Sequence, residues 1–336
     1  MTPTGTETAI CVIGAGSWGT ALALQFARRG RDVRLWGRDR EQLEAMSQDG
    51  ENKRYLPGAR FPQTLHPRET LEEALQGAGI VLVAVPSHGL RTTLVKIKPL
   101  LGKGVGVCWA TKGFELSTGK LPHQVVAEVL GDELPLAVLS GPTFAREVGD
   151  GLPTAMSIAA NSPDFAAELA GALSDETFRA YTSSDIIGVE VGGAVKNVLA
   201  IGAGISDGLG FGANTRIAMI NRGLVEMTRL GVALGARQET FMGLAGMGDL
   251  VLTCTDNLSR NRRMGLLLAA GKSIDEAQHE IQQVVEGVLA AKAVKQVAEK
   301  LNVEMPICLE VYGVLHEGRP AAEAVRTLMS RSLKTE

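Results

Sequence analysis

A chain of 336 residues with 45% hydrophobic content is long for one compact core and points to two domains. Its formal net charge of −3 and aromatic content of 4% argue against the basic footprint and stacking platforms with which proteins hold nucleic acid. Four scattered cysteines (Cys11, Cys108, Cys254, Cys308) form no C-x-x-C pair, and the five histidines show no ligand spacing. The cysteines therefore read as small buried hydrophobes, and no metal is expected.

Met1–Thr8 is polar and lacks the basic and apolar regions of a secretion signal. The apolar run Ile10–Ile13 reads as a buried strand and leads into Gly14-Ala15-Gly16-Ser17-Trp18-Gly19, after which a helix runs to about Gly30. In this G-x-G-x-x-G turn Gly14 allows the tight exit from the strand and Gly16 lets the backbone approach a pyrophosphate. Gly19 lets the helix pack closely on the strand. The helix start then offers free N–H groups to phosphates. The same pattern also suits a tight strand–helix turn with no ligand.

Asp32–Trp36 reads as the second strand of a βαβ unit. NAD sites usually end that strand on a carboxylate, which takes the ribose hydroxyls. Here Gly37-Arg38-Asp39-Arg40 follows, and guanidinium groups favour a 2′-phosphate. NADPH/NADP is the expected cofactor and NADH/NAD the alternative; Arg38 and Arg40 could equally be solvated turn residues.

Arg40–Gly50 predicts a helix, Tyr55–Arg68 a proline-rich connection, and Leu71–Leu75 a short helix. Gly79–Val85 is a β-branched strand ended by Pro86, with His88 just beyond it. A helix over Leu90–Leu101 and a strand over Val105–Trp109 lead to Lys112. A helix over Leu121–Leu130 and a strand over Leu136–Leu139 lead to Ser140-Gly141-Pro142-Thr143. Two more strands fall at Thr154–Ala160 and Phe178–Thr182. Continuous apolar strands alternating with helices predict a Rossmann-like, doubly wound parallel sheet over residues 1–185. In such a sheet ligands lie beyond the carboxyl ends of the strands, which makes Lys112, Gly141 and Thr143 site candidates.

From residue 186 the β-rich runs give way to small-residue helical patterns: Val189–Ile205, Thr215–Leu234, Ser259–Ala270, Ser273–Glu280, Leu289–Leu301 and Ala321–Arg331. An all-α domain over 186–336 follows. The first of these runs carries Glu190, Lys196 and Asn197, so no membrane span is expected and the chain reads as cytoplasmic. Gly265–Ser273 has one residue too many for a P-loop and follows a helix, so it reads as a helix end.

Three groups in this second half could carry chemistry. Lys196 lies inside a glycine-rich apolar helix, where desolvation suits an amine to exchange protons near neutrality; pairing with Glu190 is the alternative. Gly246-Met247-Gly248-Asp249 delivers one carboxylate, either to a lysine or substrate hydroxyl or as a helix cap. Ser259-Arg260-Asn261-Arg262-Arg263 joins a helix start to guanidinium groups, a good receptor for a phosphate monoester, or else a solvated basic face.

Taken in order with Ala110-Thr111-Lys112-Gly113, Ser140–Ala145 and Val284-Val285-Glu286-Gly287, these motifs make the chain resemble the bacterial NAD(P)-dependent glycerol-3-phosphate dehydrogenases. The resemblance spans roughly Ile10 to Met329. It implies that Lys196 is the acid/base and that Lys112, Gly141, Thr143, Asp249, Ser259, Arg260 and Asn261 hold a phosphorylated small-molecule substrate. It further assigns Ser17, Trp18, Arg38, Lys112, Ala145, Arg260, Val284 and Glu286 to the cofactor. A homodimer supplying glycerol 3-phosphate for phospholipids is also implied. Two-domain dehydrogenases acting on hydroxyacyl-CoA or phosphogluconate, and a dinucleotide-binding sensor without chemistry, are the competing readings.

Overall fold

The computed structural model describes residues 8–330; the chain start before Thr8 and Arg331 onward lie outside the described residues. The chain separates into two compact units, Met1–Thr111 with Pro122–Ile186, and Lys112–Leu121 with Ile187–Glu336. The short Lys112–Leu121 stretch thus belongs with the helical unit although it lies well before residue 186 in sequence. Phe114 and Leu121 explain this, because both are buried in the helical unit's hydrophobic core.

The first unit is built on an eight-stranded sheet. Its strands are β1 (Ala9–Ile13), β2 (Val33–Trp36), β5 (Leu65–Pro67), β6 (Ala78–Val83), β7 (Gly106–Trp109), β8 (Leu136–Ser140), β9 (Thr154–Ala160) and β10 (Phe178–Ser183). They lie in the order β10-β9-β8-β7-β6-β1-β2-β5, while β3 (Glu51–Asn52) and β4 (Leu56–Arg60) form a separate antiparallel hairpin. Strand β1 is buried throughout, as expected of a central parallel strand covered on both faces. The chain fills the sheet from β1 toward β2 and β5, then crosses back to β6. The order reverses at β1/β6, and the carboxyl end of such a reversal is where open α/β sheets receive ligands.

Two features differ from the sequence-based expectation. The Tyr55–Arg68 connection contains β4 and β5, short proline- and glycine-bearing strands with too little apolar alternation to be legible. The sheet is also mixed, since β9 runs antiparallel to β8 while every other pairing in it is parallel. Between them stands only the six-residue helix Ala145–Asp150. Such a helix is about 9 Å long, against about 16 Å for a five-residue strand, too short to carry the chain back for a parallel return.

The second unit is helical. At its centre Ile186–Gly208 is buried without a break from Gly188 to Ser206. By length and composition this helix could cross a membrane, but 83% of its apolar window is buried inside the protein. It is a core helix, apolar on all sides because other helices cover all sides. Glycines permit the contacts: a Cβ added to Gly204 would sit 2.0 Å from the Arg262 carbonyl oxygen. Helices Arg260–Ala269 and Ala321–Met329 fall within the predicted runs, whereas Ile274–Ile281 ends one residue past its run and Glu286–Leu301 starts three residues before its own. The helix Pro306–His316 was not anticipated; its start is marked by proline, a residue suited to a first turn, where no N–H partner is needed.

Candidate functional site

The glycine turn follows β1 directly. Gly14 has φ +120°, and a Cβ on it would lie 2.3 Å from the Ala84 carbonyl oxygen beyond β6. A Cβ on Gly19 would lie 1.9 Å from the Gly14 carbonyl oxygen. Packing therefore demands glycine at both positions. Gly16 is different: its φ of −81° suits any residue, and an added Cβ meets nothing within 4 Å. The protein itself makes no use of that missing side chain, which suits a group approaching from outside. Helix Ser17–Arg28 starts there with no side-chain cap and no acidic residue in its first turn. The buried indole Nε1 of Trp18 has no hydrogen-bond partner. Open backbone donors at a helix start, an unfilled cradle and an orphaned N–H fit a bound pyrophosphate.

Beyond β2 the two arginines separate. Arg40 is held by Glu44 (3.0 Å) and Glu69 (2.7 Å) and lies along its own helix. Arg38 is exposed and makes no ion pair among the described residues. The intervening Asp39 caps helix Arg40–Asp49 by accepting from the Gln42 N–H (3.1 Å), and it accepts from Arg54 (2.9 Å). Its carboxylate is therefore engaged on both oxygens, and Arg38 is left as the group able to take an anion.

Also in the sheet unit, Gly141, Thr143 and Ala145 follow β8. A Cβ on Gly141 would press on Met156 Cα at 2.8 Å, Thr143 Oγ1 donates to the Gly141 carbonyl (3.3 Å), and Ala145 opens the short helix.

In the helical unit, the structure brings Lys112, Lys196 and Asp249 together. Lys196, 6% exposed, donates to Asp249 Oδ1, and Lys112 donates to Asp249 Oδ2 at 3.0 Å. Asp249 opens helix Asp249–Thr255 directly after a π-helical turn, Leu244–Gly248, that ends the preceding loop. Such turns re-aim a side chain and recur at functional sites. The turn approaches the core helix at Gly192, where a Cβ would lie 2.3 Å from the Ala245 carbonyl oxygen. Asp249 thus serves the two lysines rather than capping its own helix.

Burial is the largest influence on Lys196 and lowers its ammonium from the ordinary 10.5 to about 7; the Asp249 charge opposes the shift and Lys112 adds to it. The second buried partner of Lys196 is Thr253 Oγ1 at 3.1 Å. Thr253 was not singled out in the sequence. Its signal was the four-residue spacing from Asp249, which puts both on one helix face.

Asn197, one of the polar residues that interrupt the apolar run of the core helix, has no site role in the sequence-based reading. Its Oδ1 accepts from Asn261 Nδ2 (2.9 Å), and Asn261 Oδ1 accepts from the Gly287 N–H (3.0 Å), so the Asn261 amide is fixed from both ends. Ser259 is the N-cap of helix Arg260–Ala269, its Oγ accepting from Arg262 N at 3.2 Å. Arg260 in the first turn is exposed, with one weak contact to Gln283 Oε1 at 3.3 Å. Arg262 is not part of a basic face: it is buried and donates to Asp207 Oδ2 at 2.5 Å, tying the helix start to the end of the core helix. Glu286 opens helix Glu286–Leu301, and Val284 just before it is exposed. Burial raises the Glu286 carboxyl, while Arg260, Lys112 and Lys196 pull it down, so it faces the same cations.

The helical unit therefore contains a buried amine tuned to trade a proton near neutrality, a carboxylate that orients it, and an open guanidinium at a helix start. That combination can protonate a developing alkoxide and hold a phosphate.

Comparison with known proteins agrees. Residues 9–166 match the family model for the NAD-dependent glycerol-3-phosphate dehydrogenase N-terminus, and residues 185–326 match that for its C-terminus. A glycerol-3-phosphate dehydrogenase [NAD(P)+] of Klebsiella pneumoniae is 54% identical over 329 residues, covering 98% of this chain and 97% of that protein. One of Bartonella quintana is 52% identical over 326 residues, covering 97% and 96%. The crystal structure of a glycerol-3-phosphate dehydrogenase from Coxiella burnetii superposes with a TM-score of 0.94 at 46% identity, covering 97% of this chain and 99% of that one.

Proposed function

Because the chain belongs to the NAD-dependent glycerol-3-phosphate dehydrogenase family, we propose that it reduces dihydroxyacetone phosphate reversibly to sn-glycerol 3-phosphate. NADPH is the preferred reductant and NADH the alternative. The overall change consumes one ketone, one NADPH and one proton and yields the alcohol and NADP. When bound, the reduced nicotinamide supplies the hydride.

The observation that carries the reading is the Lys196–Asp249–Lys112 cluster, with Lys196 and Asp249 buried and Lys112 partly so. As hydride reaches the carbonyl carbon, negative charge grows on the substrate oxygen. The Lys196 ammonium stabilises that charge and then transfers its proton, leaving a hydroxyl; in oxidation the neutral amine takes the hydroxyl proton back. Asp249 fixes the Lys196 Nζ, and Thr253 supplies a second restraint, so the amine does not reorganise during the step. Lys112 shares the carboxylate and adds positive charge near the developing oxyanion. Arg260 and Asn261 hold the substrate phosphate at their helix start, whose N-cap Ser259 keeps the first turn in place. Gly141 and Thr143 complete the substrate contacts.

On the cofactor side, the backbone N–H groups of Gly16, Ser17 and Trp18 hold the pyrophosphate. Gly14 and Gly19 shape the turn, and Arg38 takes the 2′-phosphate. Ala145, Val284, Glu286, Lys112 and Arg260 are the remaining contacts. A homodimer belongs to the same reading. A cytoplasmic location and a role in supplying phospholipid precursors fit this chemistry.

The test is direct. Adding dihydroxyacetone phosphate to enzyme and NADPH should consume NADPH, with glycerol 3-phosphate as product. No consumption there, with turnover of another carbonyl compound, would sink the substrate assignment.

A further inference from the structure

One fully buried polar side chain in the sheet unit has no part in the reaction above. Asn52, 0% exposed, sits on β3 of the two-stranded hairpin. Its Nδ2 donates to the Ala15 carbonyl oxygen at 3.0 Å and to Thr20 Oγ1 at 2.8 Å, and its Oδ1 accepts from the Tyr55 N–H at 3.2 Å. Gln42, on helix Arg40–Asp49, donates from Nε2 to the same Ala15 oxygen at 2.9 Å. Two side-chain amides from outside the glycine turn thus converge on one carbonyl within it.

The consequence follows from peptide geometry. In a trans peptide the C=O of one residue and the N–H of the next point in opposite directions. Anchoring the Ala15 carbonyl on Asn52 and Gln42 therefore aims the Gly16 N–H away from them. A Cβ on Gly16 meets no atom within 4 Å, so this is the open part of the turn. A second contact keeps the peptide seated, for a Cβ on Gly37 would lie 2.8 Å from Ala15 Cβ.

We propose that Asn52, with Gln42 behind it, is the positioning residue of the phosphate turn, holding the Ala15–Gly16 peptide so that its N–H faces the cofactor pyrophosphate. The hairpin that carries Asn52 is then part of the cofactor site without touching the cofactor through this residue. The inference rests on the reading of the glycine turn as a pyrophosphate site.

Its test compares two probes, NADPH and adenosine 2′-monophosphate, the second of which has no pyrophosphate. Asn52→Asp keeps the acceptor for Tyr55 and removes the donor to Ala15; Asn52→Ala removes both. Each should weaken NADPH binding about tenfold, the scale of one buried hydrogen bond, and leave adenosine 2′-monophosphate within about twofold. The KM for NADPH should rise while that for dihydroxyacetone phosphate holds. Equal weakening of both probes would reduce Asn52 to a structural residue, and unchanged NADPH binding by a folded variant would overturn the proposal outright. If the Asn52 variants do not fold, Gln42→Ala takes their place. It should weaken NADPH about threefold with no change for adenosine 2′-monophosphate, and an absent split overturns the proposal equally. Gly16→Val separates the two levels of inference. Normal NADPH binding by that variant would refute the pyrophosphate reading itself, whatever Asn52 does.

Discussion

The phosphate turn of the sheet unit and the lysine cluster of the helical unit are built in opposite ways. The turn works through main chain: three glycines and a helix start within six consecutive residues, no charge of its own, and specificity only for a shape. The cluster works through side chains contributed from residues 112, 196, 249 and 253, all charged or hydroxylic, with Lys196, Asp249 and Thr253 buried and Lys112 partly so. A backbone site depends on what is missing from a few positions. A side-chain site depends on convergence, and each member sets the electrostatics of the others. The two should therefore fail differently when altered.

The largest effect is expected at Lys196. Lys196→Met is close in volume and leaves Asp249 paired with Lys112, so no buried carboxylate is orphaned. Removing the proton donor should lower kcat by about 10²–10⁴, with NADPH affinity unchanged. A kcat near that of the wild type would show that the amine does not exchange the proton.

This contrast also explains what could be read from sequence. The turn was legible because its motif is contiguous and each glycine has a separate physical reason; Gly14, Gly16 and Gly19 could be told apart before any coordinates. The cluster was legible in fragments. Lys196 stood out as a charge inside an apolar helix, but its partner could have been Glu190, and only tertiary structure selects Asp249. Thr253 and Asn197 carry no local anomaly, being ordinary polar residues until the fold places Nζ and Asn261 beside them. Arg262 misleads in the other direction: in sequence it groups with its neighbours as a phosphate receptor or else a solvated basic face, whereas it is buried and paired with Asp207. In the fold, β4 and β5 and the reversed β9 were missed because short strands with proline or glycine leave no period to detect, and strand direction depends on crossover length rather than on composition.

An intermediate effect should appear in the pH dependence, and it has a sign that a set of independent residues would not produce. The lowered Lys196 value, about 7, means that the ammonium is the main form below neutrality and the amine above it. In the reduction direction the rate needs the ammonium and falls as pH rises through about 7; in oxidation it needs the amine and rises there. Asp249 supports the charged form, so Asp249→Asn should move this limb to lower pH. Lys112 opposes it, so Lys112→Met should move the limb to higher pH, each by about one pH unit. Both variants will also turn over more slowly, but the position of the limb in kcat/KM is independent of that loss. The titration of the substrate phosphate is common to all three enzymes and cancels from the comparison. Limbs that stay in place, or move together, would show that the three groups do not act as one unit.

The smallest effect should be at Arg38, an exposed side chain that the sheet unit's cofactor site is expected to use alongside its backbone turn. Asp39 beside it is engaged by the Gln42 N–H and by Arg54, and Arg40 is held by Glu44 and Glu69, so neither competes for the 2′-phosphate. An exposed guanidinium is screened by solvent and salt, which keeps its contribution well below that of a buried amine. Arg38→Ala should lower kcat/KM for NADPH about tenfold and leave that for NADH within about twofold, the difference being charge-assisted bonding to a group NADH lacks. Arg40→Ala should leave the ratio of the two cofactors unchanged. The loss with Arg38→Ala should also shrink as ionic strength rises, because screening weakens the wild-type contact and not the variant's. A ratio that ignores Arg38 would return the cofactor preference to the backbone of the turn, and with it the clean division between the two regions.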